Sequence, residues 1–410
     1  MAMNKQDVLN EKARSAIDKK AVYGADVDLD SYVEHGREDE IVPDLTALPA
    51  ERRRQLETIG LDTSGTGRAG TYMQMDHSVS HCDIAADGVE IMSTDAALKC
   101  HDWLTDYWWR AVAPDADKFT ARAALHQEHG YFIRALAGRK IPEPVQACLY
   151  IGQEGLIQDV HNMIIVEEGA ELHVITGCAT DPNVKRGAHI GISEFYIKKG
   201  GKLTFTMIHR WGEEITVRPR TGVIVEENGL FISNYVCMQK VKDIQMYPST
   251  RLTAPGAVAR VNSILVAPPG SHMDVGGRVV LESPGTKAEI VARTISTGGV
   301  IINRGHLVGR APESKAHLEC HGLLLSPGGV IHAVPELEAR TDNAELSHEA
   351  AVGKIAPEEI EYLMARGLDE EEAVATIVRG FLNVNIEGIP ASLAHEINRA
   401  VGEFTLNKGA

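Results

Sequence analysis

The chain of 410 residues contains no Cys-x-x-Cys pair, no eighteen-residue apolar run and none of the short motifs that announce a nucleotide, zincin or serine-hydrolase site. Each absence excludes something. Six cysteines stand at 82, 100, 148, 178, 237 and 320 with wide, irregular gaps. That spacing disfavours a zinc ribbon, a thioredoxin-type couple and a one-chain ferredoxin cluster. The N-terminal Met-Ala-Met-Asn-Lys-Gln-Asp lacks an apolar signal core, and no stretch is long enough to predict a membrane-spanning helix. Without G-x-x-x-x-G-K-[ST], a Walker loop for ATP is not expected. His348-Glu349-Ala350-Ala351-Val352 opens like H-E-x-x-H but closes on valine. Basic clusters are scarce against a net charge of −16, and Arg52-Arg53-Arg54 is flanked by acids. Nucleic acid and anionic membrane are therefore not expected as partners. The totals read as a soluble, cytosolic protein.

At 44% hydrophobic the chain can bury a large core. Its texture predicts three parts. Residues 1–140 read as mostly helical with a short β segment near 70–92, 141–350 as a β core, and 351–410 as helical again. In the first part, helices are predicted over Asn10–Ala21, Pro49–Ile59 and Thr94–Val112, and from Pro114 through Leu136. Gly65-Thr66-Gly67-Arg68-Ala69-Gly70 is a literal G-x-G-x-x-G, but strand-like residues follow it, so a loop is the better reading. His77 and His81 sit in an alternating stretch, which would separate them by about 13 Å along a strand.

From Pro142 the helical period gives way to short apolar runs between tight turns. Glu168-Gly169, Gly200-Gly201, Asn228-Gly229, Pro269-Gly270, Gly298-Gly299 and Pro327-Gly328 recur at intervals of 31, 29, 41, 29 and 29 residues. Two strands plus turns fill each interval. Runs such as Gly222-Val-Ile-Val and Gly299-Val-Ile-Ile are apolar on successive residues, as in strands covered on both faces. A β-solenoid fits, and its end coils require a cap or a partner chain. After Ile355, helices are predicted from Pro357 to Gly367, from Asp369 to Phe381, and again near Pro390 with Leu393, Ile397 and Val401 inward.

The chemistry gathers between Leu318 and Ile355, where Cys320, His321, His332, Glu336, His348 and Glu349 fall within about forty residues. No spacing among them makes a complete one-chain metal site. Cys320 shares strand parity with Ala316 and Leu318, which makes it a core residue by alternation. If the strand continues through residue 350, His348 and Glu349 point to opposite faces. Ligand set and strand edge both remain open on spacing alone.

Ser347-His348-Glu349-Ala-Ala-Val-Gly-Lys354-Ile355, followed by Glu-Glu-Ile-Glu-Tyr-Leu-Met-Ala-Arg-Gly-Leu-Asp-Glu-Glu-Glu-Ala, resembles the C-terminal signature of the SufB/SufD family of iron–sulfur cluster assembly proteins. Pro335-Glu336-Leu337-Glu338 and Leu318-Glu319-Cys320 extend the resemblance upstream, and it is closest to the archaeal minimal-system SmsB type. It implies a right-handed parallel β-helix core flanked by helical N- and C-terminal regions. It also implies a scaffold without an ATPase site of its own, working as a homodimer. An ABC-type ATPase of the SufC/SmsC kind would dock on the C-terminal helices, and finished clusters would pass to apo-proteins. By resemblance the ligands are Cys320, His348 and Glu349, holding a transient iron–sulfur cluster. Cluster type, the iron and sulfur donors and any part for a flavin stay open. The internal cysteine that SufB carries ahead of a Tyr-Pro-Ser stretch has no match before Tyr247-Pro248-Ser249, where Glu226 lies near and Cys237 is the nearest thiol. A SufD-like adaptor without a cluster, and a carbohydrate-acting β-helix, are the competing readings.

Overall fold

The computed structural model describes residues 5–37 and 41–382. The helix predicted near Pro390 lies outside them. Successive strands build a β-solenoid of about eight turns with helices at both ends. Its walls are two sheets in which nearly every strand pairs in parallel with the strand one coil away. In one sheet Val145 pairs with Val174, Glu171 with Lys202, Lys202 with Leu230, Leu230 with Val258, Val258 with Lys287, Lys287 with Lys315 and Lys315 with Glu345. The steps are thus 29, 31, 28, 28, 29, 28 and 30 residues.

One corner of the coil explains the rhythm. Gly138, Gly169, Gly200, Asn228, Gly256, Gly285 and Glu313 all hold φ between 53° and 73°. This is the left-handed conformation that glycine adopts without steric cost. Asn228-Gly229 belongs to this corner, whereas Pro269-Gly270 joins Val258–Ala267 to His272–Leu281 at the opposite one. The 41-residue interval marks a change of corner, and the coil length is unchanged. The second sheet is interrupted at Arg218-Pro219, between Glu214–Val217 and Arg220–Val225, and at Tyr247-Pro248, between Asp243–Met246 and Ser249–Leu252. Proline has no N–H to give the ladder.

The solenoid begins earlier in the chain than the turn rhythm indicates. Gly70–Met75 pairs in parallel with Val145–Ile151, and Tyr131–Ala135 with Ile157–Val166. Ser78–Ile84 folds back on Gly70–Met75, placing His77 in the turn and His81 in the strand. No helix follows the G-x-G-x-x-G stretch. The helix predicted over Thr94–Val112 ends at Cys100, continues as a 3₁₀ turn over Asp102–Asp106, and breaks at Trp109 with φ of 57°. The amides of Trp109, Ala111 and Val112 are taken by the buried Glu194 carboxylate, so they are lost to a helix. The helix predicted through Leu136 covers only Lys118–His126, under an Asp117 capping box. His129 and Gly130, with φ of 59° and 101°, then turn the chain into a strand.

Inward side chains from both sheets form one continuous apolar core. On the outside, Trp108, Trp109 and Phe119 cover Ile190 and Ile192. The Glu370–Leu382 helix seals Ile264, Val266, Ile295 and Leu323 with Val374, Ala375, Val378 and Leu382. Asp369 caps that helix through the Glu372 amide at 2.8 Å.

Candidate functional site at the terminal coils

Cys320 lies on Lys315–Leu324, the penultimate strand of its sheet, in register with Ala292 on one side and Ala350 on the other. Alternation turns it inward with Ala316 and Leu318, and it is 1% exposed. Asn303, reaching across from the facing sheet, hydrogen-bonds the sulfur. Burial nevertheless dominates and pushes the thiol up to about 11. Cys320 is a neutral thiol at neutral pH, so it becomes a ligand only where a metal or an approaching charge displaces the proton.

His348 sits on the last strand of that sheet, Glu345–Gly353, in register with the buried Leu318. It has the parity of Leu346, which packs on the interior core, so it belongs to the same inward row as Cys320. His348 is exposed because, among the described residues, no strand lies beyond Glu345–Gly353. Strand spacing puts the two Cα atoms roughly 8 Å apart, one strand over and two residues along.

Glu349 is one residue on and faces outward. It pairs in register with Glu319, and the imidazole of His321 lies between the two carboxylates. His321 Nδ1 is 3.5 Å from Glu319, and Nε2 is 3.5 Å from Glu349. Arg293 forms an ion pair with Glu319 from the next strand inward. The structure thus brings Cys320 and His348 onto one row and sets Glu349 on the other side of the same sheet. Among the described residues no group of three or more His, Cys, Asp and Glu side chains is arranged to hold a metal.

The other residues singled out fall elsewhere. His332 is exposed on the outer face of Val330–Ala339. Glu226 pairs with Lys198 at 3.2 Å near the left-handed corner. Cys237 is buried beside Tyr235, its thiol raised by burial to about 12, three strands from Cys320. That is ~14 Å across the sheet. Sequence reasoning missed Asn303, Arg293, Glu319 and His306, the last set between Glu336 at 3.7 Å and Glu338 at 3.6 Å. Adding one coil of 28 to 30 residues to each polar position would have found Arg293, Glu319 and His306, which align with His321, Glu349 and Glu336, whereas Asn303 aligns with Ala333 and reaches Cys320 from the facing sheet.

The fold and site together define a solenoid that carries a thiol and an imidazole on the interior row of its open terminal coils. Residues 149–381 match the family described as "SUF system FeS cluster assembly, SufBD core domain". The chain belongs to that family. It is 48% identical over 395 residues to an iron–sulfur cluster assembly SufBD family protein of Methanothermobacter thermautotrophicus strain Winter, covering 95% of this chain and 96% of the relative. A SufBD family protein of Archaeoglobus fulgidus is 50% identical over 349 residues, covering 85% of this chain and 94% of the relative. The iron–sulfur cluster assembly protein SufB of Bacillus subtilis is 30% identical over 369 residues, covering 86% and 78%. No helix among the described residues is long and apolar enough to cross a membrane.

Proposed function

We propose that this chain is a scaffold subunit on which iron–sulfur clusters are built between two copies of itself and then released to apo-proteins. The observation that carries the reading is the open end of the solenoid. Val330–Ala339 and Glu345–Gly353 each have one edge without a strand partner among the described residues, and Val330, Leu337 and Val352 are exposed there. Unpaired edges with apolar side chains favour association with a further chain. Two copies meeting at this end supply two thiolates from Cys320 and two imidazoles from His348, with Glu349 approaching from the outer side. A set mixing sulfur, nitrogen and oxygen binds iron less durably than four thiolates, which suits a carrier that must release its product.

Energy for release comes, in this reading, from a separate ABC-type ATPase held by the C-terminal helices, in a cytoplasmic complex. The chain itself is a non-catalytic scaffold. Anaerobic reconstitution with iron and sulfide tests the site. The native chain develops cluster absorption and Cys320→Ser loses most of it; equal uptake by both, or by neither, defeats the assignment. A second reading, an adaptor that carries no cluster, draws on the burial and high pKa of Cys320. The outcome in which neither protein takes up iron supports it.

A further inference from the structure

We propose that His321 is a positioning residue for Glu349, held in place by an outward-facing chain that starts at the C-terminal helix. The proposal rests on the assembly reading above. Five side chains make up the chain from Phe381 to Glu349. The Arg293 guanidinium lies over the Phe381 ring of the Glu370–Leu382 helix, 5.9 Å from its centroid. Arg293 also pairs with Glu319, which sits 3.5 Å from His321 Nδ1. Glu349 lies 3.5 Å from Nε2 of the same ring.

Two independent features call for the imidazole at this place. Glu319 and Glu349 are register partners on adjacent parallel strands, and like charges directly opposite one another repel. Arg293 neutralises only the inner carboxylate, so among the described residues the outer one is met by His321 alone. His321 Nε2 is itself buried with no hydrogen-bond partner among the described residues, and the Glu349 carboxylate is an acceptor within reach. A small approach of Glu349 satisfies both groups.

The consequence concerns direction. Strand parity turns Glu349 away from the row of Cys320 and His348, and its side chain is 66% exposed on the last strand. A side chain so placed samples many rotamers unless a neighbour restricts it. His321 selects the orientation in which the carboxylate leans back over Lys315–Leu324, so that a second copy would meet it in one fixed geometry. His321 therefore acts on the assembly site without touching the cluster.

The experiment uses the full chain in anaerobic reconstitution with ferrous iron and sulfide. His321→Ala is compared with His321→Gln, Glu349→Gln and the double variant His321→Ala/Glu349→Gln. His321→Ala slows the rise of cluster absorption several-fold, His321→Gln recovers most of the rate through its amide donor, and the double variant is no slower than the slower single one. Equal losses in the alanine and glutamine variants, or losses that multiply in the double variant, overturn the proposal. A second readout stands apart from cluster uptake. In protein labelled with 15N-histidine, Glu349→Gln shifts the His321 ring signals, assigned by their loss in His321→Ala, while Glu345→Gln leaves them in place. Signals that ignore Glu349→Gln overturn the proposal even where clusters form. If the native chain builds no cluster, the assembly reading fails, and this readout still judges the His321–Glu349 contact.

Discussion

The Glu194 carboxylate, fully buried on the outer face of the Arg186–Ile197 strand, fixes the path of the chain around Trp109. It accepts hydrogen bonds from the amides of Trp109, Ala111 and Val112, from the Tyr196 hydroxyl and from His161 Nε2. The His161 ring in turn stacks on Trp108 at 3.9 Å. Removing the carboxylate orphans several buried donors at once, and each costs about 1–3 kcal/mol. Glu194→Ala should lower the unfolding free energy by at least ~3 kcal/mol, read as a drop in denaturant midpoint. Nothing local in Thr94–Val112 betrays this, because the competing acceptor lies more than eighty residues downstream. Cys320 is the opposite case. Its inward direction was legible from Ala316 and Leu318, and the structure adds only the cause of its high pKa, enclosure by the facing sheet.

Among the elements, the two C-terminal helices within the described residues divide their work. Glu370–Leu382 spends its apolar stripe on the solenoid, with Ala373, Val374 and Val378 buried. Pro357–Met364 buries none of its residues and exposes Tyr362 and Met364. The apolar periodicity of both helices was visible in the sequence. Which stripe faces the solenoid was not, because that depends on the apolar outer face of the last coils, where Ile295 and Leu323 lie. In the proposed complex the ATPase would therefore dock on Pro357–Met364. Tyr362→Ala combined with Met364→Ala should abolish co-purification with the ATPase while leaving the melting temperature within a few degrees of native. Truncation near Ile355 is a poorer test, since it uncovers the apolar outer face of the sheet.

For the whole molecule, each coil pairs its strand edges with its neighbours, so the ends decide how the solenoid associates. At the C-terminal end the exposed Leu337 and Val352 sit on the two strands with unpaired edges. If two copies meet there, placing a charge in the contact must separate them. Val352→Glu should convert a dimer to a monomer in sedimentation velocity and reduce cluster uptake together with it, while the fold persists because Val352 lies on the last strand.

The sequence by itself determined the solenoid, the helical ends and the inward turn of Cys320, since these follow from periodicity, from left-handed glycine corners and from alternation within single strands. Tertiary structure alone decided three things. It started the solenoid at Gly70–Met75, broke the helix at Trp109, and joined Glu349 to His321. All three depend on residues far apart in sequence and adjacent in space: Gly70 pairs with Val145, the Trp109 amide is taken by Glu194, and Glu349 meets His321 one coil away.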